Sequence, residues 1–561
     1  MRKLWKWLVG WVCVILLLGC LPAGVDAAAA EVVDKAGDEA VDRAVDETAE
    51  GPGGGAAGET VPGSGNERFV YLEDDGQTAR LVNLADGYTV EAPVGTILDA
   101  SRGPYGIRMK NWETTVTIYK EPLSRVSRAS FINYTLDPIR TGKDPVQLRS
   151  DILFESGKWT VRWVEWSRPA LSLLEADQPH YVSLFVWDKD RGLFYIQIKG
   201  ADAGRNADYA ARTLDTLERR DPDPSAVLKT ELPDAPRAGA LSAYSRDFLR
   251  DYFESDVQTW GFFEPSVPGY MFLLQEIESK LGYSFPFLLT YSNFDAMDFG
   301  QNYDFSKREG RTIQYTFQTL IGNSAADFKR SVIYEILQGR YDDRFKQLAG
   351  EIARYGAPVL LRLNNEMNGD WCGYCAYYSS LDPELFEAVW QRIHRIFQDA
   401  GADNALWVFN ANYRSYPDFL WNHTLWYYPG DAYVDVVGLT AYNTGDYYSG
   451  EQWTSFTDLY NSFYWDYIEW FPNKPFMISE FACSGYGGDK AAWIRDMMVK
   501  MPFYSRIRVM VWWNGFDWDG SVPSRTYALD EASMGAFREG LRFYSKPRLG
   551  SGDYYGAPEK L

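Results

Sequence analysis

The alternation of apolar and polar positions divides the chain into four stretches with different periods. Behind Arg2, Lys3 and Lys6 runs a short apolar block at 7–18, too short for a permanent membrane span. Over 21–66 periodicity disappears. Ala, Gly, Asp and Glu dominate there, with Gly51-Pro52-Gly53-Gly54-Gly55 at the centre, so the stretch lacks the branched and aromatic side chains of a core and reads as a solvated spacer. From 67 to 238 the period shortens towards two. Strands are predicted over 69–73, 107–110, 115–120 and 159–166, with a hairpin of 181–187 and 193–199 turning through 188–192. Ala207, Ala210, Leu214 and Leu217 return at helical spacing, which predicts a mixed α+β domain with one sheet and one packing helix. Alternation places Trp159, Val161 and Trp163 on one face, either a core face against that helix or a binding face. Pro222, Pro224, Pro233 and Pro236 close the stretch as a linker.

From 239 to 561 strand and helix patterns alternate. Strands are predicted over 258–264, 285–291, 312–319, 359–363, 405–410, 434–440, 476–479 and 508–513, with helices over 270–281, 344–355 and 383–399. This many strands in about 300 residues suits a closed (β/α)8 barrel better than an open doubly wound sheet. The fold class is therefore α/β, a TIM barrel preceded by a smaller α+β domain.

Barrels gather their chemistry at the C-terminal strand ends. Those ends carry Glu264, Glu366, Asn410, Asn412, Tyr442 and Glu480, then Trp512, Trp513 and Asn514 at the last strand. The fourth strand is the most abrupt, an apolar Val359-Leu360-Leu361 run breaking into Asn364-Asn365-Glu366. Glutamates on strands four and seven can face each other across the mouth. Retaining glycoside hydrolysis requires such a pair, with carboxyls ~5–5.5 Å apart, one protonating the leaving oxygen and the other attacking the anomeric carbon.

Composition narrows the partner. A net charge of −21 repels nucleic acid and anionic membrane surfaces and leaves a neutral polymer acceptable. The 21 Trp, 38 Tyr and 31 Phe provide flat apolar faces suited to sugar rings, or else a large aromatic core. Leu17-Leu18-Gly19-Cys20 resembles the lipobox of bacterial lipoproteins, so 1–20 is expected to be a signal peptide with Cys20 lipidated, anchoring the chain outside the cell membrane. A plain signal peptide and an uncleaved anchor are the alternatives, and both also export the chain. Of the cysteines beyond it, Cys372 and Cys375 are expected to close a short-loop disulfide, with buried free thiols as the alternative, and Cys483 is read as loop packing. His394 sits among Val389, Trp390, Ile393 and Phe397 on a predicted helix and reads as packing or surface, while His180 and His423 have no ligand-like partners nearby, so no metal and no cofactor are expected.

Three segments carry a family resemblance. Arg362-Leu363-Asn364-Asn365-Glu366-Met367-Asn368-Gly369-Asp370-Trp371 resembles the acid/base segment of glycoside hydrolase family 26, and Lys474-Pro475-Phe476-Met477-Ile478-Ser479-Glu480-Phe481 its nucleophile segment. Tyr428-Pro429-Gly430-Asp431 running to Val434-Asp435-Val436-Val437-Gly438 and Tyr442 is similar to its sixth-strand region. The resemblance implies a clan A barrel hydrolysing a β-linked polysaccharide with retention, most often β-1,4-mannan. It implies Glu366 as acid/base, Glu480 as nucleophile and Tyr442 as the nucleophile's hydrogen-bond partner. Asn365, Arg362, Trp371 and Trp513 are the expected substrate contacts, with Arg362 alternatively a structural charge; Trp512 is expected to face the helices. The chain is expected to act as a monomer on its polysaccharide. Leu363 and Asn365 stand where the family usually has proline and histidine. An amide at 365 still suits a hydroxyl, but it opens the choice of sugar to xylan, glucan or an exopolysaccharide. The alternative from another class is a non-catalytic carbohydrate-binding surface lipoprotein.

Overall fold

The computed structural model describes residues 65–544 apart from 75–77, 93–94, 190–191, 323 and 520–521. The signal segment, Cys20 and nearly all of the spacer lie outside the described residues. Among the described residues, no helix is long and apolar enough to cross a membrane.

Eight parallel strands close into a barrel in sequence order: Thr259–Phe263, Phe287–Ser292, Thr312–Phe317, Val359–Leu363, Ala405–Asn412, Val436–Asn443, Phe476–Cys483 and Ile507–Trp513. Each predicted strand is present. The fifth, sixth and seventh run further into the mouth than predicted, because polar residues there stay in the ladder, Asn410 opposite Gly438 and Thr440 opposite Glu480. Gly438 allows this: a Cβ there would lie 2.2 Å from Ser479 Oγ. Outside, Met271–Leu281, Asp342–Tyr355 and Pro383–Asp399 cover the strands. The last begins at Pro383 behind the Asp382 cap, which accepts from the Glu384 amide.

The N-terminal module departs from expectation. Its described residues form two sheets and two α-helices, where one sheet and one helix were expected. A small sheet pairs Val70–Asp74, Ala79–Asn83, Tyr88–Ala92 and Glu218–Arg219. A seven-stranded sheet runs Ile97–Asp99, Ile107–Lys110, Thr114–Glu121, Leu193–Gly200, His180–Trp187, Trp159–Ser167 and Gln147–Ser156. The edge strand Gln147–Ser156 is largely exposed on both faces, so it carries no alternation to read. The helix Arg128–Thr141 holds Pro138, which interrupts the helical pattern.

The large sheet is buried on both sides. Phe194, Ile196 and Ile198 face a core shared with the small sheet and the helix Ala203–Thr216, which also takes Trp159 and Val161 with Trp163 packed against it. Leu193 and Tyr195 point the other way, into a cluster continuous with the barrel's own hydrophobic core. Polar residues follow the same alternation. Gln197 donates to the Ser380 and Leu381 carbonyls, and Lys199 meets both Asp382 oxygens at 2.9 and 2.8 Å and pairs with Glu384. Arg108 reaches Glu384 at 2.8 Å and Arg102 reaches Glu387 at 3.2 Å. Gly106 lies at this seam with φ 140°, where a Cβ would stand 2.9 Å from Trp426. The module is fused to the barrel through a packed, charged seam, so it is not a tethered appendage.

Candidate active site

Strand four ends in a tight, left-handed turn. Asn364 and Glu366 have φ of 49° and 55°, a region that asparagine tolerates and glutamate rarely adopts. The surroundings hold it: the Asn364 amide donates to the Phe317 carbonyl at 2.9 Å, its side-chain oxygen accepts from the Thr319 amide at 2.7 Å, and the Glu366 amide donates to the Asn410 carbonyl at 2.8 Å. Backbone strain of this kind persists where neighbouring elements over-determine it, and it collects at functional sites.

Glu366, just past strand four, and Glu480, in the C-terminal half of strand seven, are both buried in opposite environments. Glu366 accepts from Asn412 Nδ2 at 2.5 Å. Its carboxyl is pushed well above the usual range, first by burial and then by the charge of Glu480; the Asn412 bond and Arg362 oppose this without cancelling it. Glu480 instead meets three donors. Arg362 Nη2 binds Oε2 at 2.6 Å, the Tyr291 hydroxyl binds the same oxygen, and Tyr442 OH reaches Oε1 at 3.2 Å.

The other expected contacts fall differently. Arg362 is corrected from substrate contact to foundation: its side chain is 0% exposed, with Nε on Thr316, Nη1 on Asn410 and Nη2 on Glu480. Its partners lie on three other strands, which residue type alone does not reveal. Asn365 is buried, and its oxygen accepts from Gln318 Nε2 at 3.1 Å, so the amide NH2 is what it can offer a ligand. Trp371 is half-buried and tilts against Tyr416, ring centres 5.3 Å apart. Trp513 stacks on Phe263 and donates to Tyr291 OH at 3.2 Å, placing it in the wall beside Glu480. Trp512 packs against Phe537 of the final helix. Glu264 accepts from Asn514 at 3.1 Å.

The disulfide expectation is corrected, because Cys372, Cys375 and Cys483 are all free and buried. Cys372 and Cys375 bracket a tight turn, yet Cys375 Sγ points to Tyr427 OH at 3.5 Å and Asn422 Oδ1 at 3.6 Å. His394 is buried against Trp407 and Tyr433.

Sequence reasoning missed Tyr291, Asn412 as the partner of Glu366, and Asp517. Tyr291 ends the second strand as Glu366 follows the fourth, so barrel geometry alone could have flagged it. Asp517, on the hairpin of Phe516–Asp519 and Val522–Thr526, is bound by Arg525 through Nε at 2.7 Å and Nη2 at 2.6 Å. Burial lifts it to about 6 against that pairing, and its charge adds to the upward push on Glu366. No local motif announces it.

Residues 311–477 match the sequence model of Glycosyl hydrolase family 26, a span that includes Glu366 and stops just short of Glu480. The chain is 36% identical over 208 residues to Endoglucanase H of Acetivibrio thermocellus, covering 35% of this chain and 22% of that protein. It is 31% identical over 193 residues to a mannan endo-1,4-beta-mannosidase of Bacillus subtilis, covering 33% and 46% respectively. The matches thus span less than half the length of either relative. Among solved structures, a family 26 beta-mannanase from Bacteroides ovatus is similar at 14% identity and TM-score 0.42, over 57% of this chain and 99% of that one.

Proposed function

From a barrel whose segment 311–477 matches the model of Glycosyl hydrolase family 26, we propose that this protein is a retaining glycoside hydrolase acting on a β-linked polysaccharide, with β-1,4-mannan the first substrate. The observation that carries the reading is the asymmetry of the two glutamates: one is short of donors and holds its proton, while the other accepts from three. A carboxyl raised by burial fits the acid, and a carboxylate held by three donors fits the nucleophile.

In this reading Glu366 donates its proton to the glycosidic oxygen as Glu480 attacks the anomeric carbon. Oε1 of Glu480, carrying the longer Tyr442 bond, is the oxygen freer to attack, while Arg362 and Tyr291 hold Oε2. The aglycone leaves with the proton and a glycosyl ester remains. Glu366, now ionised, takes a proton from water, whose oxygen breaks the ester and restores both carboxyls with net retention. Asn365 NH2 faces a substrate hydroxyl, and Trp371 and Trp513 present ring faces to the sugar.

A β-glucan is the second substrate reading, favoured by Asn365 and by the likeness to a protein named Endoglucanase H. Cys20 is proposed to anchor the enzyme on the outer face of the cell membrane; a Cys20→Ser chain released into the medium would support this. Reducing-end release from mannan, glucan and xylan, with wild type beside Glu480→Gln, tests the main reading. Release by the wild type and its loss in the variant are expected. Retained binding without release from any glycan would sink it in favour of a carbohydrate-binding protein.

A further inference from the structure

The loops after strands four and five, 364–382 and 413–435, carry Glu366 and adjoin its partner Asn412, and both rest on the N-terminal module. On the first loop, Tyr134 of the helix Arg128–Thr141 gives its hydroxyl to Asp370 Oδ2, Tyr377 OH donates to Asp137 at 2.6 Å, and the Ser380 amide donates to Asp144 at 2.5 Å. On the second, the Leu420 amide donates to Glu121 at 2.6 Å, Trp421 Nε1 to Thr135 at 3.3 Å, and Phe419 packs on Phe131 with ring centres 4.5 Å apart.

From these supports the connection to the acid is short. The Asp370 amide donates to the Tyr416 carbonyl at 2.9 Å and the Tyr416 amide to the Asn368 carbonyl at 2.8 Å, so the two loops run as one ribbon. Asn368 locks it: Oδ1 accepts from the Asn412 amide at 2.9 Å and Nδ2 donates to the Asn412 carbonyl at 3.0 Å. Asn412 then holds Glu366. Gly369 is close enough to the Trp371 ring that a Cβ would stand 2.4 Å from it, leaving this ribbon little room to shift.

We propose that the N-terminal module is a working part of the active site, with Tyr134 a positioning residue that holds the Glu366 loop through Asp370. The proposal rests on the role assigned to Glu366 above. Asp370 is a half-buried carboxylate four residues from Glu366, and removing the Tyr134 hydroxyl takes away the donor that its Oδ2 accepts from. The ribbon that turns with it is the one that fixes Asn412.

The test is Tyr134→Phe in the full chain, beside Arg80→Ala on the far sheet as a control. On β-1,4-mannan, or β-1,4-glucan if that is the polymer cleaved, kcat/KM is expected to fall roughly 10- to 100-fold, as misplacement of a catalytic group by about 1 Å does. On the matching 2,4-dinitrophenyl β-glycoside, whose leaving group departs without a proton, kcat/KM is expected to change by less than about threefold. Amide exchange over 364–382 should quicken while that over Phe476–Cys483 stays as in the wild type. Equal losses on both substrates would overturn positioning in favour of a general structural role, and unchanged exchange with unchanged polymer cleavage would overturn the proposal outright. A wild type inactive on every glycan defeats the assignment of Glu366 instead; the exchange comparison still decides whether Tyr134 holds the loop.

Discussion

Two clusters of buried acids lie on either side of the loop 364–382, and they differ in balance. At the seam, Lys199 and Arg108 close on Asp382 and Glu384, and Arg102 takes Glu387. Burial alone would raise Glu384, but Arg108 and Lys199 more than reverse it and hold the carboxyl far below its usual range. Glu387, further from those cations, is raised by burial to about 7 despite Arg102. At the mouth, Glu366 has an amide where Glu384 has cations, and it is shifted upwards. Burial is common to both clusters. At Glu384 the cations outweigh it, whereas at Glu366 the Asn412 bond and Arg362 do not.

The largest effect that would sharpen the contrast is at Glu480. Glu480→Gln should lower polysaccharide cleavage by on the order of 10⁴-fold or more; a variant retaining a few per cent of activity would break the assignment of the mouth as the chemical cluster. Glu366→Gln should cost about 10²- to 10⁴-fold on the polymer.

The seam should answer in stability instead. Lys199→Met leaves Asp382 and Glu384 facing each other without that ammonium and should destabilise the chain by about 3–5 kcal/mol in urea unfolding. Adding Asp382→Leu should recover part of it. A silent Lys199→Met would mean that the seam's charges are not coupled to folding.

Titration should separate Glu384 from Glu366 by sign. Glu384 has a folded value below its unfolded one, so its stabilisation is present above the ordinary glutamate range and lost as pH falls through the depressed value. Glu366 is the reverse, with stability and the active acid form both present below the ordinary range and lost as pH rises through the raised value. Acid should therefore loosen the seam while alkali disarms the mouth, read by amide exchange at the seam beside a pH profile of kcat/KM. Loss of activity on the alkaline side near the ordinary glutamate value would contradict the shift.

The smallest effect concerns the thiols. Cys372, Cys375 and Cys483 should resist a thiol reagent until the chain is unfolded, and a reductant should leave the thermal midpoint within about 1 °C, since the free thiols already sit in packed surroundings. A fall of several degrees on reduction would reinstate the disulfide.

The barrel was legible because its strands are short, nearly continuous apolar runs ending in polar residues, a local signal that needs no knowledge of neighbours. Glu366 and Glu480 were legible for the same reason, each closing such a run. Arg362 was visible as a residue but not as a support, because its three partners come from three other strands. The helix Arg128–Thr141 was hidden by Pro138, and the strand Gln147–Ser156 by exposure on both faces.

By itself, then, the sequence determined the parallel barrel and the two acids at its strand ends, since periodicity and chain order are local properties. Only the tertiary structure decided which acid keeps its proton, that Arg362 lies beneath Glu480, and that Leu193, Tyr195, Gln197 and Lys199 face the barrel. Those facts depend on which side chains meet across more than a hundred residues of intervening chain, and desolvation and charge pairing act only once they have met.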